Sequence, residues 1–261
     1  MTIEVARMAG GQQSENLLLA TLPSADLDLL RPSLRTVDLL LGSTVINAGE
    51  IPKRVYFPHS GVIASCITLS NGHVVEARIT GRDGALGAAI GVGERPSFTS
   101  AVVRLAGQAS VIDYLGFQAV IDRSAALRAL LARYEAFQQA MADQSVACNA
   151  IHSVEARLAR RLLRLRNISG QTQFTVTQEV LAEMLGIRRN AVSLVAHAMR
   201  QANLIRYSRG RLEIIDFEGL GRLTCECYHT VTAYKDLLES NQIGLSDTGA
   251  GVMKWRPGRS G

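Results

Sequence analysis

Phe174-Thr175-Val176-Thr177-Gln178-Glu179-Val180-Leu181-Ala182-Glu183-Met184-Leu185-Gly186-Ile187-Arg188-Arg189-Asn190-Ala191-Val192-Ser193 reads as two short helices joined by a tight turn. Thr177 suits the cap of the first helix, whose first turn holds Gln178 and Glu179 and so sets a carboxylate against the positive end of the dipole. Leu181, Met184 and Leu185 supply an inner face, and Gly186 stands where the turn requires a left-handed residue. The second helix is expected over about residues 188–202, with Ala191, Val192, Val195, Ala198, Met199 and Ala202 inward. Arg189, Asn190, Ser193 and His197 then share the opposite face at three- and four-residue spacing. A helix that reads DNA needs this division between an apolar back and a polar front. Arginine can grip guanine with two hydrogen bonds, and asparagine can do the same with adenine. Thr177, Gln178 and the unpaired N–H groups of the first helix suit phosphate, and Arg188 joins the DNA-binding set at the start of the second.

Outward from this block, residues 203–216 form two β-like runs around Ser208-Arg209-Gly210, a hairpin wing with Arg209 at its tip. Residues 154–211 hold eleven arginines, no lysine and three glutamates, a net +8 in a chain whose formal charge is +5. Positive charge gathered in one segment is the footprint of a nucleic-acid module. An arginine-rich, solvated helix is the plainer alternative.

Upstream, residues 123–166 lack Gly and Pro. Leu127, Leu130, Tyr134, Phe137, Met141, Gln144, Cys148 and Ile151 fall on successive a and d positions of a heptad. The stripe predicts a dimerisation helix over 123–152, with Gln144 as the polar seam residue that helps fix register. A helix packed on its own domain would show the same stripe. Residues 154–165 form a second amphipathic piece, ending near Asn167-Ile168-Ser169-Gly170. Further upstream, residues 37–114 are β-like. Two β-prone runs, 62–69 and 73–80, flank Asn71-Gly72, a hairpin signal, and closely spaced glycines suit a small barrel or roll.

The 261-residue chain has an ordinary globular composition and no apolar run long enough for a bilayer. Residues 1–14 and 242–261 read as flexible tails, and the N-terminus makes a poor signal peptide, so a cytoplasmic location without membrane contact is expected. No phosphate loop, H-E-x-x-H, G-x-S-x-G or paired-carboxylate motif is visible, so an enzyme is not expected. Cys66, Cys148, Cys225 and Cys227 are too few and too irregular for a disulfide framework. Cys225 and Cys227 would diverge on a helix and converge only from a strand or loop. No metal ligands are assigned, and Cys148 is read as a small hydrophobe on the seam. His59 and His73 are read as ordinary surface or core histidines.

Over about residues 35–220 the chain resembles the Crp/Fnr regulators. The resemblance rests on Gly49-Glu50, Val55-Tyr56-Phe57-Pro58, Ser60-Gly61-Val62-Ile63, Gly81-Arg82-Asp83-Gly84, Arg157-Leu158-Ala159-Arg160-Arg161-Leu162-Leu163 and residues 177–193. It implies an α+β architecture: an N-terminal cyclic-nucleotide-binding-type β-roll (15–122), the long dimerisation helix (123–152) and a C-terminal winged helix-turn-helix (153–222). It also implies that Arg189, Asn190 and Leu194 face the major groove. Cyclic-AMP-type members carry a base-reading arginine at the last of these, so a different target sequence is expected here. Members that bind cyclic nucleotides use a glutamate for the ribose hydroxyl and an arginine for the phosphate. Ala85 and Thr99 stand at those positions, so cyclic AMP is disfavoured and the effector stays unknown, with no cofactor expected. Arg95 is the nearest substitute cation. No cysteine precedes Cys66, which argues against the iron–sulfur cluster of oxygen-sensing relatives.

These readings predict a homodimeric, sequence-specific transcription regulator that binds double-stranded DNA, with RNA polymerase as a further partner. The competing possibility is a scaffold that binds only proteins through a degenerate helix-turn-helix.

Overall fold

The computed structural model describes residues 16–93 and 95–239, and both expected tails lie outside the described residues. After α1 (Ser24–Leu30) come β1 (Arg35–Leu39), β2 (Thr44–Ile46), β3 (Arg54–Pro58), β4 (Val62–Thr68), β5 (Val74–Thr80), β6 (Ser100–Leu105) and β7 (Gly107–Asp113). They form two antiparallel sheets, in order β1-β7-β3 and β2-β6-β4-β5. Ala101, Val103 and Leu105 alternate inward along β6, as the two-residue period of a strand requires. The expected hairpin is β4–β5. Thr68 pairs with Val74, and Gly72, at φ 81°, supplies the left-handed turn residue that Asn71-Gly72 promised.

Two helices follow the roll. Asp113 caps α2 (Tyr114–Arg123) and Ser124 caps α3 (Ala125–Ile151), each side chain accepting from a backbone N–H three residues on. Much of the heptad stripe of α3 is covered within the chain, with Met141 and Gln144 half-buried and Ile151 exposed. Leu127, Leu130, Tyr134 and Phe137 are buried in one core with Phe57, Ile112 and Phe117 of the roll and α2. Met141 packs against the same core, and Cys148 lies buried with Cys225 and Cys227. Gln144, half-buried, donates to Cys227 Sγ at 3.0 Å. Ile151 alone of the eight is exposed, at 81%. Periodicity identified the face that must be buried but not what buries it.

The winged portion runs α4 (Val154–Ser169), β8 (Gln173–Thr175), α5 (Gln178–Leu185), α6 (Arg189–Gln201), β9 (Ile205–Ser208), β10 (Arg211–Ile214) and α7 (Phe217–Leu223), and a last helix, α8 (Cys227–Glu239), follows. Val231 and Leu238 of α8 complete the core along α3. Ser153 caps α4, and Gly170, in the left-handed conformation, ends it. Leu158, Leu162 and Ile168 of α4 are fully buried in a core that spans both parts of the chain. That core takes in Val62, Ala64, Cys66 and Ile79 of the roll with Leu181, Met184 and Val192 of the helix-turn-helix.

The arginine face of α4 is buried as well. Arg161 Nη1 lies 3.5 Å from Glu76 Oε1 on β5, and Arg164 Nη1 lies 2.7 Å from Asp83 Oδ2 in the loop after β5. Lys235 of α8 reaches the same Asp83 oxygen at 3.5 Å, so one carboxylate ties the roll to two helices. Burial alone would raise the Asp83 carboxyl. The Arg164 guanidinium and Lys235 ammonium more than offset this and hold it below its ordinary value of 3.8. Asp83→Asn should therefore cost roughly 3 kcal/mol at neutral pH, the low end for breaking a buried pair, because Lys235 stays partly solvated. A carboxyl with a depressed folded-state pKa adds stability above about pH 3.8 and loses it as pH falls through the folded value. Urea midpoints of the two proteins should thus differ constantly from pH 7 to 5 and converge below pH 4.

Candidate nucleic-acid interface

Thr177 caps α5 through its hydroxyl, which accepts from Val180 N at 3.2 Å. Glu179 lies in the first turn, and Leu181, Met184 and Leu185 are buried beneath. Gly186 ends the helix at φ 62° and ψ 40°, and Ile187 N returns to Ala182 O at 3.1 Å, closing the turn. The chain then enters α6, whose buried positions are Val192, Val195, Ala196 and Met199, one apolar stripe at helical spacing. Ala191 is half-buried. Ala198 and Ala202 are exposed, which corrects two expected inward positions; Ala196 lies on the buried face instead.

The outer face of α6 holds Arg189, Asn190 and His197, all exposed, with Leu194 at 75% exposure. Ser193 is half-buried, because its hydroxyl donates to Gln178 Oε1 at 3.1 Å across the two helices. Arg189 Nε donates to the same oxygen at 3.4 Å, and its guanidinium lies 3.9 Å from Glu179. The three polar side chains therefore hold one another in the absence of DNA. Thr177 and Arg188 are exposed beside them.

The wing is β9–β10, with Ser208 paired to Arg211 across a two-residue loop. Arg209 and Gly210 both take positive φ, 49° and 76°, the pattern of a type I′ hairpin turn. Arg209 is thus held at the tip, exposed. β8 pairs with β10 on the other side, giving the sheet order β8-β10-β9.

The charge segregation seen in sequence divides in two. Arg157, Arg160 and Arg161 are buried in α4, Arg164 is paired with Asp83, and Arg166 stacks on Phe217 with its guanidinium carbon 4.0 Å from the ring centroid. Arg188, Arg189, Arg200, Arg206, Arg209 and Arg211 are exposed on α6 and the wing. About half of the positive segment serves internal packing, and the rest is available to a polyanion.

Residues 156–223 match the family model described as the Crp-like helix-turn-helix domain. This segment is a Crp-like helix-turn-helix domain. The described chain as a whole has the fold of solved Crp/Fnr regulators. A CRP-family transcriptional regulator from Thermus thermophilus is 21% identical, with 72% of this chain and 95% of that one covered, at TM-score 0.57. FixK2 from Bradyrhizobium japonicum is 14% identical over 74% and 98%, at 0.62. The c-di-GMP-responsive global regulator CLP of Xanthomonas campestris is 13% identical over 74% and 100%, at 0.61. No curated protein matches by sequence. A Crp-like helix-turn-helix segment carried on this fold supports a role in DNA binding. Among the described residues, no helix is long and apolar enough to cross a membrane.

Between the roll and α3 lies a cavity of about 700 Å³. Ala85 and Thr99 both line it, with Tyr134 and Gln138 on the helix side. Burial, and secondarily the charge of Asp83, pushes the Tyr134 phenol up to about 12, so it stays neutral. Arg78, Arg95 and Arg128 are also on the wall, so the cation missing at Thr99 has substitutes. Sequence reasoning did not find Arg78 and Arg128, because they come from β5 and α3, far from the glycine-rich loop.

At Gly186 an added Cβ would meet only Val75 Cγ1, at an ordinary 3.5 Å, so the turn is limited by backbone conformation and not by space. Gly186→Ala should cost about 1–2 kcal/mol from the left-handed backbone alone. Urea denaturation of the two proteins measures it.

Proposed function

We propose that the chain is a homodimeric, sequence-specific regulator in which α6 reads the major groove and the wing holds the backbone. The observation that carries this reading is the α6 front: Arg189, Asn190, Leu194 and His197 exposed on a helix whose back is buried. Arg189 and Asn190 are side chains able to grip guanine and adenine with paired bonds, while Leu194 offers an apolar contact suited to a thymine methyl. Thr177 and Gln178 stand beside them at the start of α5, where N–H groups meet phosphate, and Ser193 of α6 donates to Gln178 there. Arg188 and Arg209 add charge at either end.

Two copies would present two such helices to half-sites about one DNA turn apart. The face of α3 that the chain leaves open is the favoured contact. The exposed large apolar positions there are Val146, at 72% exposure, and Ile151, the one stripe member left open, on a helix of 27 residues that extends about 40 Å. The buried members of the stripe, Leu127, Leu130, Tyr134, Phe137 and Cys148, contribute less to that contact than its open end.

The signal enters at the cavity beside α3. Its arginines favour an anionic ligand, but Ala85 offers no carboxylate for a ribose hydroxyl, so the ligand is one other than cyclic AMP. Calorimetry should show no heat of binding for cyclic AMP at micromolar concentration, and a micromolar isotherm would contradict this assignment.

Selection from a randomised duplex pool tests the reading. The wild type should recover a two-fold-symmetric motif. Arg189→Ala should lose about 1–3 kcal/mol of affinity and relax the motif at one position in each half-site. Binding that is blind to sequence and collapses with salt in both proteins would leave only arginine charge at work. A motif without symmetry would remove the dimer.

A further inference from the structure

The end of α3 and the start of α8 lie side by side, and four side chains from two stretches of chain converge there. Cys148 is in the last turn of α3, His152 is its C-cap, Cys225 sits in the loop after α7, and Cys227 opens α8. One ligand atom from each lies within 4.8 Å of all the others. The three cysteines are buried and free. Because Cys225 precedes α8 in a loop, it escapes the divergence expected of two residues on one helix.

The spacing is that of a tetrahedral metal site. Bonds of about 2.3 Å to sulfur and about 2.0 Å to nitrogen require sulfurs about 3.8 Å apart and sulfur about 3.5 Å from nitrogen. Cys148 Sγ lies 3.6 Å from Cys225 Sγ, and Cys227 Sγ lies 3.5 Å from His152 Nδ1. The surroundings fit as well. His152 Nε2 lies 3.2 Å from Glu226 Oε1, which leaves Nδ1 directed at the sulfurs, the carboxylate–histidine arrangement that orients metal-bound imidazoles. Gln144 donates to Cys227 Sγ, as amides do to coordinated thiolates. Three thiolates around a divalent ion leave one negative charge, and buried Arg157 and Arg160 lie within electrostatic reach of Cys148 to offset it.

We propose that Cys148, His152, Cys225 and Cys227 bind one Zn²⁺ ion in a closed three-sulfur, one-nitrogen site. Thiolate and imidazole ligands select zinc over magnesium, calcium or manganese, and four protein ligands leave no open position for substrate, so the ion is structural. Binding displaces the three thiol protons to solvent and makes metal affinity part of folding stability. It fastens the start of α8 to the junction of α3 and α4, the point from which the DNA-binding helices are held.

Full-length protein purified without chelators should contain one zinc per chain by mass spectrometry of the metal. Rebuilt with cobalt, it should show the visible bands of tetrahedral cobalt and sulfur-to-cobalt charge transfer. Cys225→Ser and His152→Ala should lose or shift these bands. Glu226→Gln keeps all four ligands and should weaken zinc about 10–100-fold in competition with a chelator, a readout that does not require the ligand variants to fold. Protein from zinc-supplemented cells that holds no stoichiometric metal, shows four titratable thiols and gives no cobalt spectrum would overturn the proposal. So would iron–sulfur absorption, or a disulfide between Cys148 and Cys225.

Discussion

The burial of both the leucine and the arginine faces of α4 is the constraint from which the rest of the structure follows. One face gives Leu158, Leu162 and Ile168 to the core shared by roll and winged helix. The other brings Arg157, Arg160 and Arg161 out of water, which is tolerable only where partners await them. Glu76 answers Arg161, Leu185 O accepts from Arg157, and Asp83 answers Arg164. Burial of Glu76 outweighs the pull of Arg161 and raises its carboxyl, and desolvation offsets much of the attraction within a buried pair. Its role is register: any other docking of the winged helix on the roll would strand a guanidinium in a low-dielectric core. Arg104 of β6 reinforces the same docking through its ion pair with Glu183 on α5.

That docking leaves the proposed DNA-reading surface free. The roll is met by α4 and by the Glu183 side of α5, while the first turn of α5, the front of α6 and the wing tip stay open to solvent. α3 runs from the cavity, where Tyr134 and Gln138 line the wall, to the α3–α4 junction near Cys148. A ligand that prefers one position of α3 would act on the angle of α6 through a single continuous helix.

Local chemistry was legible in the sequence, and long-range partnership was not. The cap at Thr177, the left-handed Gly186, the Asn71-Gly72 turn and the Arg209-Gly210 turn are each decided by a few adjacent residues, and each occurs where expected. The α3 stripe correctly marked a buried face, yet Leu130 or Phe137 looks the same whether covered by a second copy or by Val231 of the same chain. The arginine count was sound, but nothing local says that Arg161 meets Glu76 85 residues away while Arg209 meets solvent. Ala196 and Ala198 differ by two positions, and two alanines give periodicity too little contrast to choose between them. The Cys148–Cys225 approach joins residues 77 apart and needs the whole fold to be seen.

Oxidative side-chain footprinting, with and without a selected duplex, tests most directly whether α6 is the reading element. Leu194 and His197 are exposed on its front, while Leu40 and Leu115 are exposed on the roll and α2. DNA should suppress oxidation of Leu194 and His197 and leave Leu40 and Leu115 unchanged. Protection of the second pair without the first would show that DNA binds elsewhere and that the α6 front is not the reading surface.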